Sequence, residues 1–376
     1  MRGRRIVGIT IAASLTLGAA CGSGSGEASP TTRATPPNAA DGSAGGAATT
    51  TSAALTGPGG LSLGSGKPVT LAFGGDIHYA PPLDDELAAN PTTMLDGVKP
   101  LLSAADLSIV NLETSIGTSG DKQDKQFTFQ APASGFGPLI AAGVDVIGMA
   151  NNHALDFGQA GLTQTLAAIA DQHAPVIGVG ANESEAYRPF TATVHGQRIA
   201  VIAATQILND HLIATWTATA TNPGVASAKR VDRLLQAVRE ARAKADTVIV
   251  FLHWGTEKIN CPNASQLALA PQLVDAGADL VIGTHAHRVQ GGGYLGHAYV
   301  EYGLGNLMFK VGSPEAREAG ILTVTVTGRR VDDAVWHPVT IGAKYLPTID
   351  DPTDAAAPLK RWEGFRACAK LADAPS

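Results

Sequence analysis

Five short β-branched runs, each ending in residues able to ligate a metal, constrain this chain more than anything else in it. Val69-Thr70-Leu71-Ala72-Phe73 passes through Gly74-Gly75 into Asp76-Ile77-His78, and Leu107-Ser108-Ile109-Val110 leads into Asn111-Leu112-Glu113. Val144-Asp145-Val146-Ile147-Gly148-Met149-Ala150 leads into Asn151-Asn152-His153, and Thr247-Val248-Ile249-Val250-Phe251-Leu252 into His253-Trp254-Gly255. The fifth, Val281-Ile282-Gly283-Thr284, delivers His285-Ala286-His287-Arg288. Open α/β sheets keep their sites at the carboxyl ends of their strands. In an extended segment side chains alternate, so His285 and His287 leave the backbone on one side. One such histidine pair is as readily a surface pair as a ligand pair. Five runs together supply the carboxylate, amide and imidazole donors of a hard-to-borderline metal site.

Helical patterns lie between the runs. Residues 134–142 stop at Gly143, and 160–172 carry Leu162, Leu166 and Ile169 at helical spacing. Val231, Leu234, Leu235, Val238 and Ala241 form one apolar stripe that Ser227 is placed to cap, and 266–276 end at Gly277, with Pro271 either starting or kinking that helix. Beyond Arg288 only strands follow, at 299–308, 321–327 and 331–339, with turns such as Gly328-Arg329-Arg330 that suggest antiparallel pairing. Two packed mixed sheets with helices outside accommodate both halves. Residues 205–226, with Asn209, Asp210, His211, Trp216 and Asn222, show no period. They either shape a substrate groove or form a disordered surface excursion.

Residues 1–20 place Arg2, Arg4 and Arg5 before an apolar run too short to span a membrane, the pattern of an export signal. Residues 21–66 follow Cys21 with almost nothing but Gly, Ser, Ala, Thr and Pro, a composition that cannot bury enough apolar surface to fold. The arrangement looks like a bacterial lipoprotein, although Gly18 stands where the usual lipidation pattern has Leu. Two readings remain: Cys21 is lipidated and holds the protein on the outer face of the cell membrane, or the signal is cleaved and the protein is secreted. Both place the folded part outside the cytoplasm. There Cys261 and Cys368 are free to pair as a disulfide or to remain two buried thiols. Residues 67–345 read as one domain and 346–376 as a C-terminal tail. The formal net charge is −6, with no Lys/Arg run beyond the signal, which argues against a nucleic-acid partner.

Taken in order, Gly75-Asp76, Asn111-Leu112-Glu113, Asn151-Asn152-His153-Ala154-Leu155-Asp156-Phe157-Gly158, His253-Trp254-Gly255, Gly283-Thr284-His285-Ala286-His287 and Tyr302-Gly303-Leu304-Gly305-Asn306 resemble the CapA family of bacterial capsule, or poly-γ-glutamate, synthesis proteins. That family is similar in turn to calcineurin-like metallophosphoesterases, so the resemblance implies an α/β fold, a four-layer αββα sandwich, with two divalent metal ions such as Mn, Zn or Fe. Asp76-Ile77-His78 fits the phosphoesterases' first motif. Glu113 departs from them, since they carry a bridging Asp there.

The resemblance implies that Asp76, His78 and His287 hold one metal, Asn152, His253 and His285 the other, and that Glu113 is shared. His153 is then the acid, with Asp156 either orienting it or capping a helix. Arg288 would meet an anionic substrate. The implied activity is metal-dependent hydrolysis, of phosphoester or amide bonds, in the synthesis, release or attachment of an anionic surface polymer. The alternative is a non-catalytic subunit that holds the polymer or membrane synthase subunits. His173, His195, His211, His297 and His337 match no motif and read as solvated or core-edge residues. Asn306 reads as support beneath the site, Tyr302 as packing, and Trp254 as either the pocket floor or core.

Overall fold

The computed structural model describes residues 55–376, so residues 1–20, where an export signal is expected, Cys21 and the first part of the expected linker lie outside the described residues. The first half runs β1 (Val69–Ile77), α1 (Leu83–Ala89), α2 (Lys99–Ala104), β2 (Leu107–Leu112), β3 (Val146–Gly148), α3 (Gly158–Gln172), β4 (Val176–Ile177), β5 (Phe190–Val194) and β6 (Gln197–Thr205). It continues through α4 (Val231–Arg242), β7 (Thr247–Trp254), α5 (Ala264–Ala276), β8 (Leu280–His285), β9 (Gly292–Leu295), β10 (Ala298–Glu301) and β11 (Asn306–Met308). Then come β12 (Glu318–Thr327), β13 (Arg330–Ile341), β14 (Pro347–Ile349) and α6 (Pro352–Ala369).

The strands form an eight-stranded sheet, ordered β14-β13-β12-β1-β2-β3-β4 with β11 against β1, and a six-stranded sheet ordered β9-β10-β8-β7-β6-β5. In both sheets the central pairs are parallel: β1 with β2, β2 with β3, β6 with β7, and β7 with β8. Central parallel strands are buried on both faces, which is why they read as apolar runs. The order of layers follows from alternation along each strand. In β7, Ile249 and Phe251 pack in the core between the sheets, while Val248, Val250 and Leu252 face α4 and α5 through Leu234, Val238, Leu269 and Leu273. In β2, Ile109 is in the inter-sheet core, and Val110 and Leu112 face the opposite helices with Leu83, Leu102 and Leu162. Helix, sheet, sheet, helix is therefore the αββα sandwich that the resemblance implied.

Alternation also aims the site. Asn111 and Glu113 share the parity of Ile109, and His253 shares that of Phe251, so all three project between the sheets. Asp76 would have pointed the other way. The register of β1 on β2 slips between Phe73 and Asp76, a one-residue bulge at Gly74-Gly75 that inverts the alternation and turns Asp76 inward. Glycine is required there, because a Cβ on Gly75 would lie 2.0 Å from the Gly305 carbonyl oxygen.

Several expectations need correction. Residues 299–308 are not one strand: β10 joins the second sheet and β11 the first, and Tyr302-Gly303-Leu304-Gly305 crosses between them, Gly305 at φ 73°. β10 and β11 also pair in parallel, with β8 and β1. Of the two readings of Pro271, a helix start is excluded: the residue lies inside α5, which begins with a capping box at Asn263 and Gln266. Ser227 does not cap α4; its hydroxyl accepts from Lys229 N, and the helix starts at Val231 with Arg230 at the cap position.

Residues 55–66 and the tail pack on the domain. The close of the linker packs on the domain, with Gln197 donating to the carbonyls of Leu63 (3.0 Å) and Lys67 (2.8 Å). The tail supplies β14 and α6, whose Trp362 is buried against Trp336 at 5.5 Å between ring centroids and donates to Glu301 (3.0 Å). A disulfide joins Cys261 to Cys368, tying α6 to the loop after His253. Residues 205–226 form no disordered excursion, since Leu212 and Trp216 are buried and Gly224–Val225 pairs with Val179–Gly180. Among the described residues, no helix is long and apolar enough to cross a membrane.

Candidate metal centre

The strand ends converge on Glu113. Its side chain is fully buried, and neither carboxylate oxygen has a hydrogen-bond partner. Three imidazoles face Oε1 through Nε2: His253 at 3.5 Å, His153 at 3.7 Å and His287 at 3.9 Å. Burial opposes ionisation of Glu113, but the charges of His253 and His287 outweigh it and hold the carboxyl below the usual range. A bare, ionised carboxylate in a dry interior is costly unless a cation meets it.

Neighbouring side chains fix which nitrogens are free. Thr284 Oγ1 donates to Leu252 O (3.3 Å) and so accepts from His253 Nδ1 (3.0 Å), turning His253 Nε2 toward Asn152 Oδ1 (2.7 Å). Nitrogen and carbonyl oxygen at that separation need a proton or a metal ion between them. Asn306 Nδ2 donates to Ala316 O (3.0 Å), so its Oδ1 accepts from His287 Nδ1 (2.8 Å) and leaves Nε2 for the cup. That is the support expected of Asn306 from below. Asp76 accepts from Asn111 (2.7 Å) on one oxygen and from His285 N (3.0 Å) on the other, and lies 3.4 Å from His287 Nδ1. Asn151, donating to Asn111 (3.1 Å) and Leu112 O (2.8 Å), locks the second motif to the third.

Burial pulls the His285 pKa well below normal, helped by His253, so its ring is neutral with a lone pair to offer. His287 differs. Burial pulls it down, but Glu113 and Asp76 overcome this and push it up to about 9, so its proton competes with a cation.

Among the described residues, two groups have donor geometry for a metal, Asp76 with Glu113 and His253, and Glu113 with His285 and His287. Glu113 is common to both, and His287 falls with His285 while His253 falls with Asp76. His285 and His287 do not arrive by extended alternation: their φ angles are 86° and 50°, and the chain turns through left-handed conformations as it leaves β8. The turn sets the two rings 5.8 Å apart, in one group rather than two. His78 enters neither group. Its Nε2 accepts from Lys310 N (2.8 Å) and its ring stacks on Phe309 at 3.7 Å, while burial lowers its pKa to about 3, so the neutral ring carries its proton on Nδ1. In this arrangement it walls the cup rather than donating to it.

His153 stands at the edge with Nδ1 2.5 Å from Asp156 Oδ2. Asp156 orients this histidine and does not cap a helix, since α3 has no side-chain cap. Arg288 reaches only His287 O (3.0 Å) and Ser313 Oγ (3.3 Å), leaving its guanidinium half-buried beside the cup. Trp254 is core, donating to Tyr302 O (2.9 Å). The other histidines lie elsewhere, His297 beside Asp279 and His337 against Thr323, for example. Asn111 and Thr284 stand in the sequence motifs without an assigned role, and Phe129 and Lys125 are in none of them. Phe129 packs on His78 and His153, and Lys125 hides in an alternating charged stretch that reads as solvated surface.

Two stacked sheets that gather carboxylate, amide and imidazole donors from their strand ends define an αββα protein with a candidate metal centre. Residues 70–311 match the family model described as bacterial capsule synthesis protein PGA_cap, and the chain belongs to that family. Over 260 residues it is 28% identical to the PGA biosynthesis protein CapA of Bacillus subtilis, covering 68% of this chain and 67% of that protein. It is 30% identical to the capsule biosynthesis protein CapA of Bacillus anthracis, covering 60% and 56% respectively. Over 192 residues it is 31% identical to a probable polyglutamine synthesis accessory protein of Mycobacterium tuberculosis, covering 49% of this chain and half of that one. Among solved structures, a putative 5′-nucleotidase from Staphylococcus aureus aligns with a TM-score of 0.45 at 18% identity, covering 79% of this chain and 58% of that one.

Proposed function

We propose that this protein is an exported, metal-dependent hydrolase acting in the synthesis, release or attachment of an anionic surface polymer of the poly-γ-glutamate type. The observation that carries the proposal is Glu113, a buried, ionised and unpartnered carboxylate ringed by three imidazoles. Asp76, Glu113, Asn152, His253, His285 and His287 would hold one or two divalent ions. Such ions, when bound, supply positive charge against an attacked phosphoryl or acyl oxygen. His153 delivers the proton the leaving group needs from Nε2, while Asp156 steadies the imidazolium through Nδ1. Arg288 attracts the anionic chain. The polymer class rests on the CapA resemblance, and the Bacillus relatives named for PGA and capsule biosynthesis support it. The export signal and Cys21 support a site on the outer face of the cell membrane.

One relative's designation as an accessory protein favours a second reading, in which the fold holds the polymer or a membrane synthase without cutting anything. The two readings separate on a single variant. With Mn or Zn supplied, the wild-type protein should cleave a phosphodiester or a γ-glutamyl amide. His153→Ala should lower kcat by about 10²- to 10⁴-fold with metal content unchanged. Stoichiometric metal without turnover on either substrate supports the scaffold.

A further inference from the structure

Behind His153 lies a second charged group that the motifs do not name. Lys125 belongs to the loop between the short strands Ser115–Ile116 and Gln130–Ala131, yet its side chain is only 5% exposed. Its ammonium contacts Asp156 Oδ1 and the carbonyl oxygen of Asn152, lies 3.4 Å from His153 Nδ1, and sits 5.0 Å over the Trp216 ring. The loop is fastened to the same carboxylate residue: Gln123 N donates to Asp156 O (2.9 Å) and Phe129 N to Asp156 Oδ2 (2.7 Å). Burying an ammonium costs several kcal/mol unless partners repay it. Here its partners are the residue behind the acid and the backbone of a candidate ligand.

We propose that Lys125 is a positioning residue, which holds Asp156 and the Asn152 backbone so that His153 keeps Nδ1 as a donor and Nε2 toward the reacting atoms. This deepens the hydrolase reading and rests on it. A lysine ammonium only donates and an ionised carboxylate only accepts, so the proton between His153 and Asp156 belongs to Nδ1. Lys125 saturates the other carboxylate oxygen, and Phe129 N shares Oδ2. The carboxylate therefore cannot rotate away from the ring. Through the Asn152 carbonyl, the same ammonium fixes the acid relative to the amide that faces His253.

The test compares leaving groups in the full chain loaded with Mn. Bis(p-nitrophenyl) phosphate needs little help from an acid, whereas diphenyl phosphate needs much. Lys125→Met should lower kcat for diphenyl phosphate at least about tenfold more than for the nitrophenyl ester, with KM and bound metal within about twofold of wild type. Lys125→Arg, which still bridges the carboxylate, should recover most of the difference. Equal losses on the two esters, or no loss, would overturn the proposal.

A second readout does not depend on turnover. In metal-free protein the His153 Nδ1 proton should give a slowly exchanging downfield NMR line in wild type and Lys125→Arg that disappears in Lys125→Met. Its persistence there would also overturn the proposal. Should Lys125→Met fail to fold, Lys125→Gln provides the same comparison. A wild-type protein that neither binds metal nor cleaves either ester would defeat the hydrolase reading, while the NMR line would still decide the role of Lys125.

Discussion

Glu113 and Asp279 are both fully buried carboxylates, one just past the carboxyl end of β2 and the other just before the amino end of β8. Asp279 is answered by the protein itself: Arg242 lies at 2.5 Å, Arg329 at 2.9 Å, and Val248 N donates at 2.9 Å. Glu113 has no hydrogen-bond donor and no Lys or Arg partner, only imidazoles at 3.5 to 3.9 Å that can themselves serve as metal ligands. The same sandwich thus neutralises a buried charge completely at one point and leaves one bare at another. The difference separates a residue that holds the fold from one that waits for a ligand.

Removing the satisfied charge should have the largest effect on stability. Asp279→Ala strands two guanidiniums and a backbone amide, and should cost about 3 kcal/mol in denaturant unfolding with no change in metal content. Loss of metal in that variant would break the contrast.

Next comes pH, read in metal-free protein. The folded pKa of His287 is raised to about 9, so the stability its charge contributes is complete below the unfolded value and is lost as pH rises from about 6.5 to about 9. The loss should be at most about 3 kcal/mol, and His287→Gln should flatten it. Metal affinity should rise across the same window, as the competing proton leaves. A stability curve flat from pH 6 to pH 9 in the wild type would sink this electrostatic picture.

A smaller effect belongs to the residues that aim the imidazoles. Asn306→Ala frees His287 Nδ1 and leaves the Ala316 carbonyl without its donor, and should weaken metal binding about 10- to 100-fold while costing about 1–2 kcal/mol in unfolding. Equal affinity in wild type and variant would mean that Asn306 serves only the chain around Ala316.

Strand ends were legible in the sequence because apolar runs stop where chemistry begins, and alternation then carries Glu113 and His253 inward without further information. Asp76 was legible as a donor but not in its direction, because the inversion rests on a bulge that becomes visible only when β1 is registered on β2. The turn at His285 and His287 was hidden for a related reason, since nothing local marks two histidines as left-handed. His78 fitted a motif, but the amide of Lys310, 232 residues away, claims its Nε2. Nothing local marks Lys125 in the sequence, and only burial separates it from Lys122. Likewise, the tail could not be read as part of the domain until Trp362 was seen to stack on Trp336.

The account comes down to Glu113, and calorimetric titration of Mn or Zn into wild type and Glu113→Gln tests it most directly. The prediction is tight binding by wild type and none by the variant, which still folds cooperatively without metal. Wild-type affinity in a folded Glu113→Gln protein would contradict it.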